Sequence, residues 1–138
     1  HALLYLQKSE GYAPDFIVLL QPTSPLRTAG TIDKAIAVFI DHADKLDSLV
    51  PVYELEPKIG HIKNGRYYPF NATNMQRQEL EPIYKECGTV FVFKPARILK
   101  KQALYGTRIL PFIIGNRAES LDINNQEDIK LAGYFLNI

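Results

Sequence analysis

The sequence predicts an α/β domain, and three consecutive segments carry that prediction. Residues 16–20 form an uninterrupted apolar run, which is typical of a strand covered on both faces in a parallel sheet. A helix is predicted over 31–42, because Thr31 can cap it and its apolar residues recur at helical spacing. Residues 47–52 form a second apolar strand. This order of strand, loop, helix and strand is a βαβ unit, the building block of α/β domains.

A hairpin interrupts the α/β pattern after the second strand. Asn64 and Gly65 stand between short segments at 59–63 and 66–70, and an Asn-Gly pair in that setting favours a two-residue hairpin turn. The remaining patterned segments are two strands and two helices, predicted over 88–93, 108–114, 95–104 and from Asn125 onward. We expect residues 1–138 to form a single domain, with 54–80 as a hairpin subdomain.

Composition limits the classes of function. The formal net charge is +1 over 138 residues, so no global field favours nucleic acid or membranes as partners. The one cysteine, Cys87, has no companion for a disulfide or a cysteine zinc site, which fits a reducing cytoplasm. No secretory signal is visible, although the sequence begins with His1 and not with Met.

A loop stiffened by two prolines follows the first strand and is the first candidate site. Ligands of open α/β sheets bind at the carboxyl ends of strands, where this loop presents its polar side chains. These are Gln21, Thr23, Ser24 and Arg27. Fixed prolines leave little conformational entropy to be lost on binding. The same residues also fit a loop that only turns the chain.

A second candidate site precedes the last helix. Asp122 and Asn124 are two residues apart, so both side chains project to one side of an extended segment. Two oxygen ligands on one side suit Mg2+, which takes one or two carboxylates together with water and substrate phosphates. With Asn125, the same residues also fit a turn and helix cap that bind no metal.

Three motifs resemble one enzyme family. LLQPTSPLR at 19–27 resembles a signature of the acylneuraminate cytidylyltransferases, also called CMP-N-acetylneuraminate synthetases. RQEL at 77–80, with Gly88 following, and SLDINNQEDI at 120–129 resemble later blocks of that family in the expected order. The resemblance implies a Rossmann-like, three-layer nucleotide-diphospho-sugar transferase fold with a dimerisation hairpin. It also implies transfer of CMP from CTP to a nonulosonic (sialic) acid with release of pyrophosphate.

The resemblance assigns roles to individual residues. It implies substrate contacts by Gln21, Thr23, Arg27, Lys58, Arg77, Cys87, Phe91, Leu104 and Tyr105. Arg77 would bind the sugar carboxylate in the site of the partner subunit of a homodimer, and Asp122 would hold Mg2+, which makes these two the catalytic candidates. Taken alone, Arg77 and Lys58 also fit ordinary surface cations.

Several positions depart from the family. Asn124 stands where a second aspartate is usual, and Cys87 and Phe91 replace Asn and Tyr. Leu104 and Tyr105 fall where aromatic residues lie against the acyl group of the sugar. These changes leave open a synthetase for 3-deoxy-manno-octulosonate, legionaminic or pseudaminic acid, which are acids used in lipopolysaccharide or capsule, or a non-catalytic dimerisation module.

The phosphate-binding part of the family's site is not found in this sequence. The family begins with a strand and a glycine-rich basic loop that binds the triphosphate, and no such loop precedes Phe16. We therefore expect only a partial fold, and we expect these 138 residues alone to be inactive.

Overall fold

The computed structural model describes residues 1–71, 76, 79–99 and 105–137, with the backbone alone at 97 and 98. The described helices are α1 Ala2–Glu10, α2 Ala29–Asp41, α3 Pro95–Leu99 and α4 Gln126–Leu136. The described strands are β1 Ile17–Leu19, β2 Ser48–Leu55, β3 Gly60–Lys63, β4 Arg66–Pro69, β5 Ile83–Glu86, β6 Phe91–Phe93 and β7 Ile109–Ile113. No helix among them is long and apolar enough to cross a membrane.

The main sheet is built around β2. On one side β2 pairs in parallel with β7, and on the other it pairs antiparallel with β6 through its first residues and with β5 through its last. β1 pairs antiparallel with the far edge of β6. Because β6 is antiparallel to both neighbours, β1, β2 and β7 all run in one direction. The α/β prediction is confirmed. The antiparallel strand β6 lies between β1 and β2, the two strands of the predicted βαβ unit.

Helix α2 connects β1 to β2, as predicted, but its cap is different. The helix begins at Ala29 and is capped by Thr28, whose hydroxyl accepts a hydrogen bond from the Thr31 amide at 3.2 Å. The prediction of Thr31 as the cap was wrong. The extended backbone at Thr28 allows this bond.

The sheet buries a different apolar cluster on each face. Alternation along β2 sends Leu49 to a cluster that includes Phe39 of α2, and Val50 to a second cluster with Phe91. Full burial of such a side chain contributes roughly 1.5–3 kcal/mol. The first cluster is the larger, and it is the face that α2 covers.

Strand β1 is less covered than its apolar sequence predicts. Leu19 and Leu20 each keep 38% of their surface exposed. Within the described residues, β1 has a strand neighbour on one edge only. Val18 and Ile17 nevertheless pack against the two clusters on opposite faces, so the prediction of a strand covered on both faces is confirmed, although the cover is less complete than expected.

The strand predicted over 88–93 is divided. Its second half is β6, while β5 ends at Glu86, and residues 87–90 between them leave the ladder. The amide of Cys87 still donates to the Pro51 carbonyl at 3.1 Å, so β5 and β6 together follow the edge of β2. Gly88 forms the break and packs against the loop after β1.

The predicted hairpin and final helix are both confirmed. Asn64 and Gly65 have φ angles of 52° and 73°, as a two-residue turn with positive φ requires. Asn125 caps α4 in a capping box with Asp128. Helix α3 begins at Pro95 as predicted, whereas residues 100–104 of that prediction lie outside the described part of the chain.

Candidate functional site

A segment that crosses the sheet from β7 to α4 builds the candidate site. Along it, the Glu119 carbonyl accepts a hydrogen bond from the Thr89 hydroxyl at 2.8 Å. Further on, the Ile123 amide donates to the Thr23 carbonyl at 2.7 Å. The backbone that carries Asp122 is therefore held beside the loop that follows β1, although Gln21, Thr23 and Arg27 of that loop do not line the cleft that contains Asp122.

A buried carboxylate anchors this crossing segment to α2. Glu119 is 9% exposed, and its carboxylate accepts hydrogen bonds from the Thr31 hydroxyl at 2.5 Å and the Thr28 amide at 3.4 Å. A negative group at a helix N-terminus is favoured by the helix dipole. The segment that carries Asp122 is thus fixed to both α2 and the β5–β6 connection.

The loop over residues 21–27 is held in one conformation from inside. The Ser24 amide and the Arg27 guanidinium both donate to the Gln21 carbonyl. Ser24 is fully buried, and burial lowers the pKa of Arg27. Thr23 is exposed at the tip of the loop, so the loop offers side chains to a ligand without having to order first.

Asp122 has an unpaired carboxylate oxygen. Asn124 donates to its Oδ2 at 3.2 Å, which confirms that the two side chains lie side by side. Oδ1 is buried and has no hydrogen-bond partner among the described residues. A buried unpaired acceptor is costly, and a cation would satisfy it.

No group of three or more His, Cys, Asp or Glu side chains forms in the described part. Asp122 and Asn124 thus fit a metal that takes few protein ligands and several from water and phosphate, as Mg2+ does.

A cleft of about 390 Å³ opens beside this pair. The residues that line it are Tyr53, Leu55, Lys85, Cys87, Arg117, Ser120, Leu121, Asp122, Asn124, Asn125, Asp128, Leu131 and Phe135. Only Cys87, Asp122 and Asn124 of this set were predicted site residues, and the polar side chains that the prediction missed include Tyr53, Lys85 and Arg117. Strand β5, which carries Lys85, has no apolar alternation, so the sequence offered little sign that Lys85 would face Tyr53 across two paired strands.

Cys87 lies in the wall of the cleft. It is 5% exposed, and its sulfur is 3.5 Å from the Thr89 hydroxyl. Burial raises the pKa of the Cys87 thiol, so the group stays protonated and uncharged near neutral pH. It offers a ligand a small, weakly polar surface.

Two predicted substrate contacts lie on the other face of the sheet. Phe91 is buried with Val50, and its ring is stacked on that of Tyr105, with centroids 5.9 Å apart. The Tyr105 hydroxyl donates to Glu86 at 2.6 Å. Burial, with this bond, raises the pKa of Tyr105 to about 12. The structure does not bring Phe91 and Tyr105 into the cleft with Asp122.

The remaining predicted residues belong to other parts of the chain. Lys58 is exposed at the base of the hairpin, where it lines a separate cavity of about 160 Å³. Arg77 and Leu104 lie outside the described residues, so their assigned contacts stay predictions.

Comparison of the fold with solved structures defines its class. The chain is similar to 4-diphosphocytidyl-2C-methyl-D-erythritol synthase from Anaerococcus prevotii, with a TM-score of 0.55 and 12% identity over 96% of this chain and 64% of that one. It is equally similar to 2-C-methyl-D-erythritol 4-phosphate cytidylyltransferase from Thermus thermophilus, with a TM-score of 0.55 and 13% identity over 94% and 65%. The Rossmann-like nucleotide-sugar transferase fold is confirmed.

Sequence relatives narrow the resemblance further. CMP-N,N'-diacetyllegionaminic acid synthase of Legionella pneumophila is 26% identical over 118 residues, which are 83% of this chain and 50% of that protein. N-acylneuraminate cytidylyltransferase of Streptococcus agalactiae is 26% identical over 80% of this chain and 28% of that protein. No family model matches the chain. The predicted resemblance to cytidylyltransferases is confirmed, and the chain spans half the length of these relatives or less.

Proposed function

We propose that this chain is the acceptor- and metal-binding part of a cytidylyltransferase, which transfers CMP from CTP to an acidic eight- or nine-carbon sugar. The observation that carries the proposal is the buried, unpaired Oδ1 of Asp122 beside a cleft of about 390 Å³. The hydrogen bond from the Ile123 amide to the Thr23 carbonyl supports the proposal, because it joins the backbone next to Asp122 to a loop at the end of a strand.

The proposed reaction is a substitution at phosphorus. The anomeric hydroxyl of the sugar attacks the α-phosphorus of CTP and loses its proton to solvent. The new bond joins the sugar oxygen to phosphorus, and the bond to the β-phosphate oxygen breaks, so that pyrophosphate leaves. Such a reaction depends mainly on positioning and on stabilising charge at the phosphate oxygens.

Residues of this chain would supply the positioning. Asp122, with the amide oxygen of Asn124, would hold Mg2+ through the oxygen that has no partner within the described chain. Bound there, Mg2+ would neutralise charge on the phosphates. Gln21, Thr23 and Arg27 would orient the acceptor from the fixed loop, and Arg77 would contact the sugar carboxylate from the partner subunit.

The acceptor need not be N-acetylneuraminate. Cys87 presents a thiol in the cleft where the family commonly has an amide, and a site built around polar groups discriminates strongly when one is lost. One relative is named for a legionaminic acid derivative. Legionaminic, pseudaminic and 3-deoxy-manno-octulosonic acids are therefore candidate acceptors, in a cytoplasmic step that precedes lipopolysaccharide or capsule assembly.

A homodimer through the hairpin is part of this proposal. The described part of the hairpin exposes much of its apolar surface, with Ile62 75%, Tyr67 57% and Phe70 60% exposed. An isolated two-stranded hairpin is marginally stable, so covering this surface would stabilise it. A symmetric dimer does so with identical patches.

Pyrophosphate release tests the proposal. We expect the full-length gene product to release pyrophosphate from CTP with Mg2+ and at least one of the four acids named above. We expect the 138-residue chain alone to release none, because it lacks a glycine-rich phosphate loop. No release by the full-length product with any of these acids would contradict the function. Release by the chain alone at the full-length rate would contradict the need for the loop.

A further inference from the structure

Three side chains that can donate hydrogen bonds line the same cleft. Tyr53 of β2 and Lys85 of β5 are directly paired across the two strands, so their side chains share a face. Arg117 comes from the crossing segment and lines the same cleft. Arg117 and Tyr53 also line an adjoining cavity of about 500 Å³, and both Lys85 and Arg117 are exposed to solvent.

The carboxylate of Asp128 already has donors, whereas the cations of the cleft have no acceptors among the described residues. Asp128 accepts hydrogen bonds from the amides of Asn124 and Asn125 at 2.8 and 3.0 Å. Within the described residues, neither Lys85 nor Arg117 forms an ion pair, and the Tyr53 hydroxyl has no hydrogen bond. Two cations and a hydroxyl that face one cleft without acceptors suit an anionic oxygen group.

From this arrangement we infer that Tyr53, Lys85 and Arg117 form a seat for the carboxylate of the acidic acceptor sugar, an inference that rests on the proposed function. The apolar part of the wall favours a sugar acid over a triphosphate. Leu55, Leu121, Leu131 and Phe135 line the cleft beside the seat and would contact an acyl substituent. In this proposal the sugar carboxylate contacts Lys85 and Arg117 of one subunit in addition to Arg77 of the partner subunit.

Binding measurements on the full-length gene product test the seat. Titration calorimetry would compare wild type with Lys85→Met, Lys85→Gln, Arg117→Leu and Tyr53→Phe. The probes are N-acetylneuraminate, N,N'-diacetyllegionaminate, pseudaminate and 3-deoxy-manno-octulosonate, each also as its methyl ester, and CTP with Mg2+. Lys130→Met and Lys45→Met serve as controls, because both cations are exposed and lie outside the cleft and the hairpin.

We expect each cation variant to weaken binding of the accepted acid about tenfold or more, since a charge-assisted hydrogen bond is lost. Binding of its methyl ester and of CTP should change less than about twofold, and KM for the acid should rise while kcat is kept. Tyr53→Phe should have a smaller effect, and the controls none. Circular dichroism and the thermal midpoint would verify that each variant is folded.

Three outcomes would overturn the seat and can be told apart. If wild type binds an acid and both cation variants bind it equally well, the seat is wrong and the proposed function stands. If the variants lose affinity for CTP and not for the acid, these cations serve phosphate. If the full-length product binds none of the acids and releases no pyrophosphate, the proposed function fails and the seat fails with it.

Discussion

Gly88 packs so closely against Gln21 that a Cβ on Gly88 would overlap the Gln21 Oε1 atom and the Ser24 hydroxyl. Gly88 begins the connection into β6, whereas Gln21 begins the loop after β1. Their contact therefore sets where that loop lies over the end of the sheet. Since the Thr23 carbonyl of the same loop accepts a hydrogen bond from Ile123, the contact also affects the segment that carries Asp122.

Substitution of Gly88 should therefore disturb both stability and the site. We expect Gly88→Ala to lower the free energy of unfolding by about 1–3 kcal/mol, as overpacking does in a filled interior. Gly30→Ala is the matched control, because Gly30 lies in α2 with open space at its Cβ position, and it should stabilise by about 0.5–1 kcal/mol. Urea unfolding measures both. Equal stability of Gly88→Ala and wild type would contradict the close contact.

Acid should remove the contribution of a buried carboxylate at the start of β2. Asp47 is 4% exposed and accepts a hydrogen bond from the Arg108 guanidinium at 2.8 Å. That bond, followed by the bond from the Arg108 amide, holds the pKa of Asp47 well below its usual range. A depressed pKa in the folded state means that the contribution is complete above the unfolded value of about 3.9 and is lost as pH falls below it.

Urea unfolding of Asp47→Asn against wild type, from pH 7 down to pH 3, checks this prediction. The variant should be less stable at neutral pH, and the difference in unfolding free energy should shrink below about pH 4. Asp41→Asn, at the exposed end of α2, serves as the control and should follow wild type throughout. A difference that stayed constant down to pH 3 would show that the charge on Asp47 does not contribute.

The second residue of the proposed metal pair should limit metal affinity. Asn124 offers a neutral amide oxygen beside Asp122, and a carboxylate is a stronger ligand for a hard cation. We expect Asn124→Asp to raise the affinity for Mg2+ or Mn2+ and Asp122→Asn to abolish binding, as measured by Mn2+ relaxation enhancement. Glu127→Gln, in the first turn of α4, is the control. Metal binding that Asp122→Asn leaves unchanged would place the ion elsewhere.

The aromatic face of the hairpin should control association. Phe70 and Tyr68 lie on the same face, and the His61 ring is 5.3 Å from that of Tyr68 and 5.7 Å from that of Phe70. We expect sedimentation to show a dimer at micromolar concentration and Phe70→Glu to raise its Kd about 10–100-fold, since burial of such a ring is worth roughly 1.5–3 kcal/mol. Tyr134→Glu, at an exposed position of α4, should leave the dimer intact. A wild-type monomer would contradict the proposal.

Elements with strong local signals could be predicted from the sequence. The Asn64-Gly65 turn and the Asn125 cap each depend on a few neighbouring residues, and both formed as predicted. Strand β5 could not be predicted, because its side chains are largely exposed and its structure comes from pairing with β2. The strand β6 was predicted, but its place between β1 and β2 could not be, since strand order is a tertiary property.

The candidate site also contains residues that the sequence predicted and residues that it did not. Motifs located Asp122 and the loop at 21–27, because each follows or precedes a recognisable element. Lys85 and Arg117 could not be found, because they come to line one cleft only through the pairing of β5 with β2 and the path of the crossing segment. Phe91 was assigned to the sugar by its position in a motif, whereas strand alternation turns its ring to the opposite face.

The most direct test of the central claim is the rate of Mg2+-dependent pyrophosphate release by the full-length gene product with CTP and its preferred acidic sugar. We predict that Asp122→Asn lowers this rate about 100-fold or more, while Glu127→Gln leaves it unchanged. An Asp122→Asn variant that released pyrophosphate at the wild-type rate would show that this carboxylate does not serve the reaction.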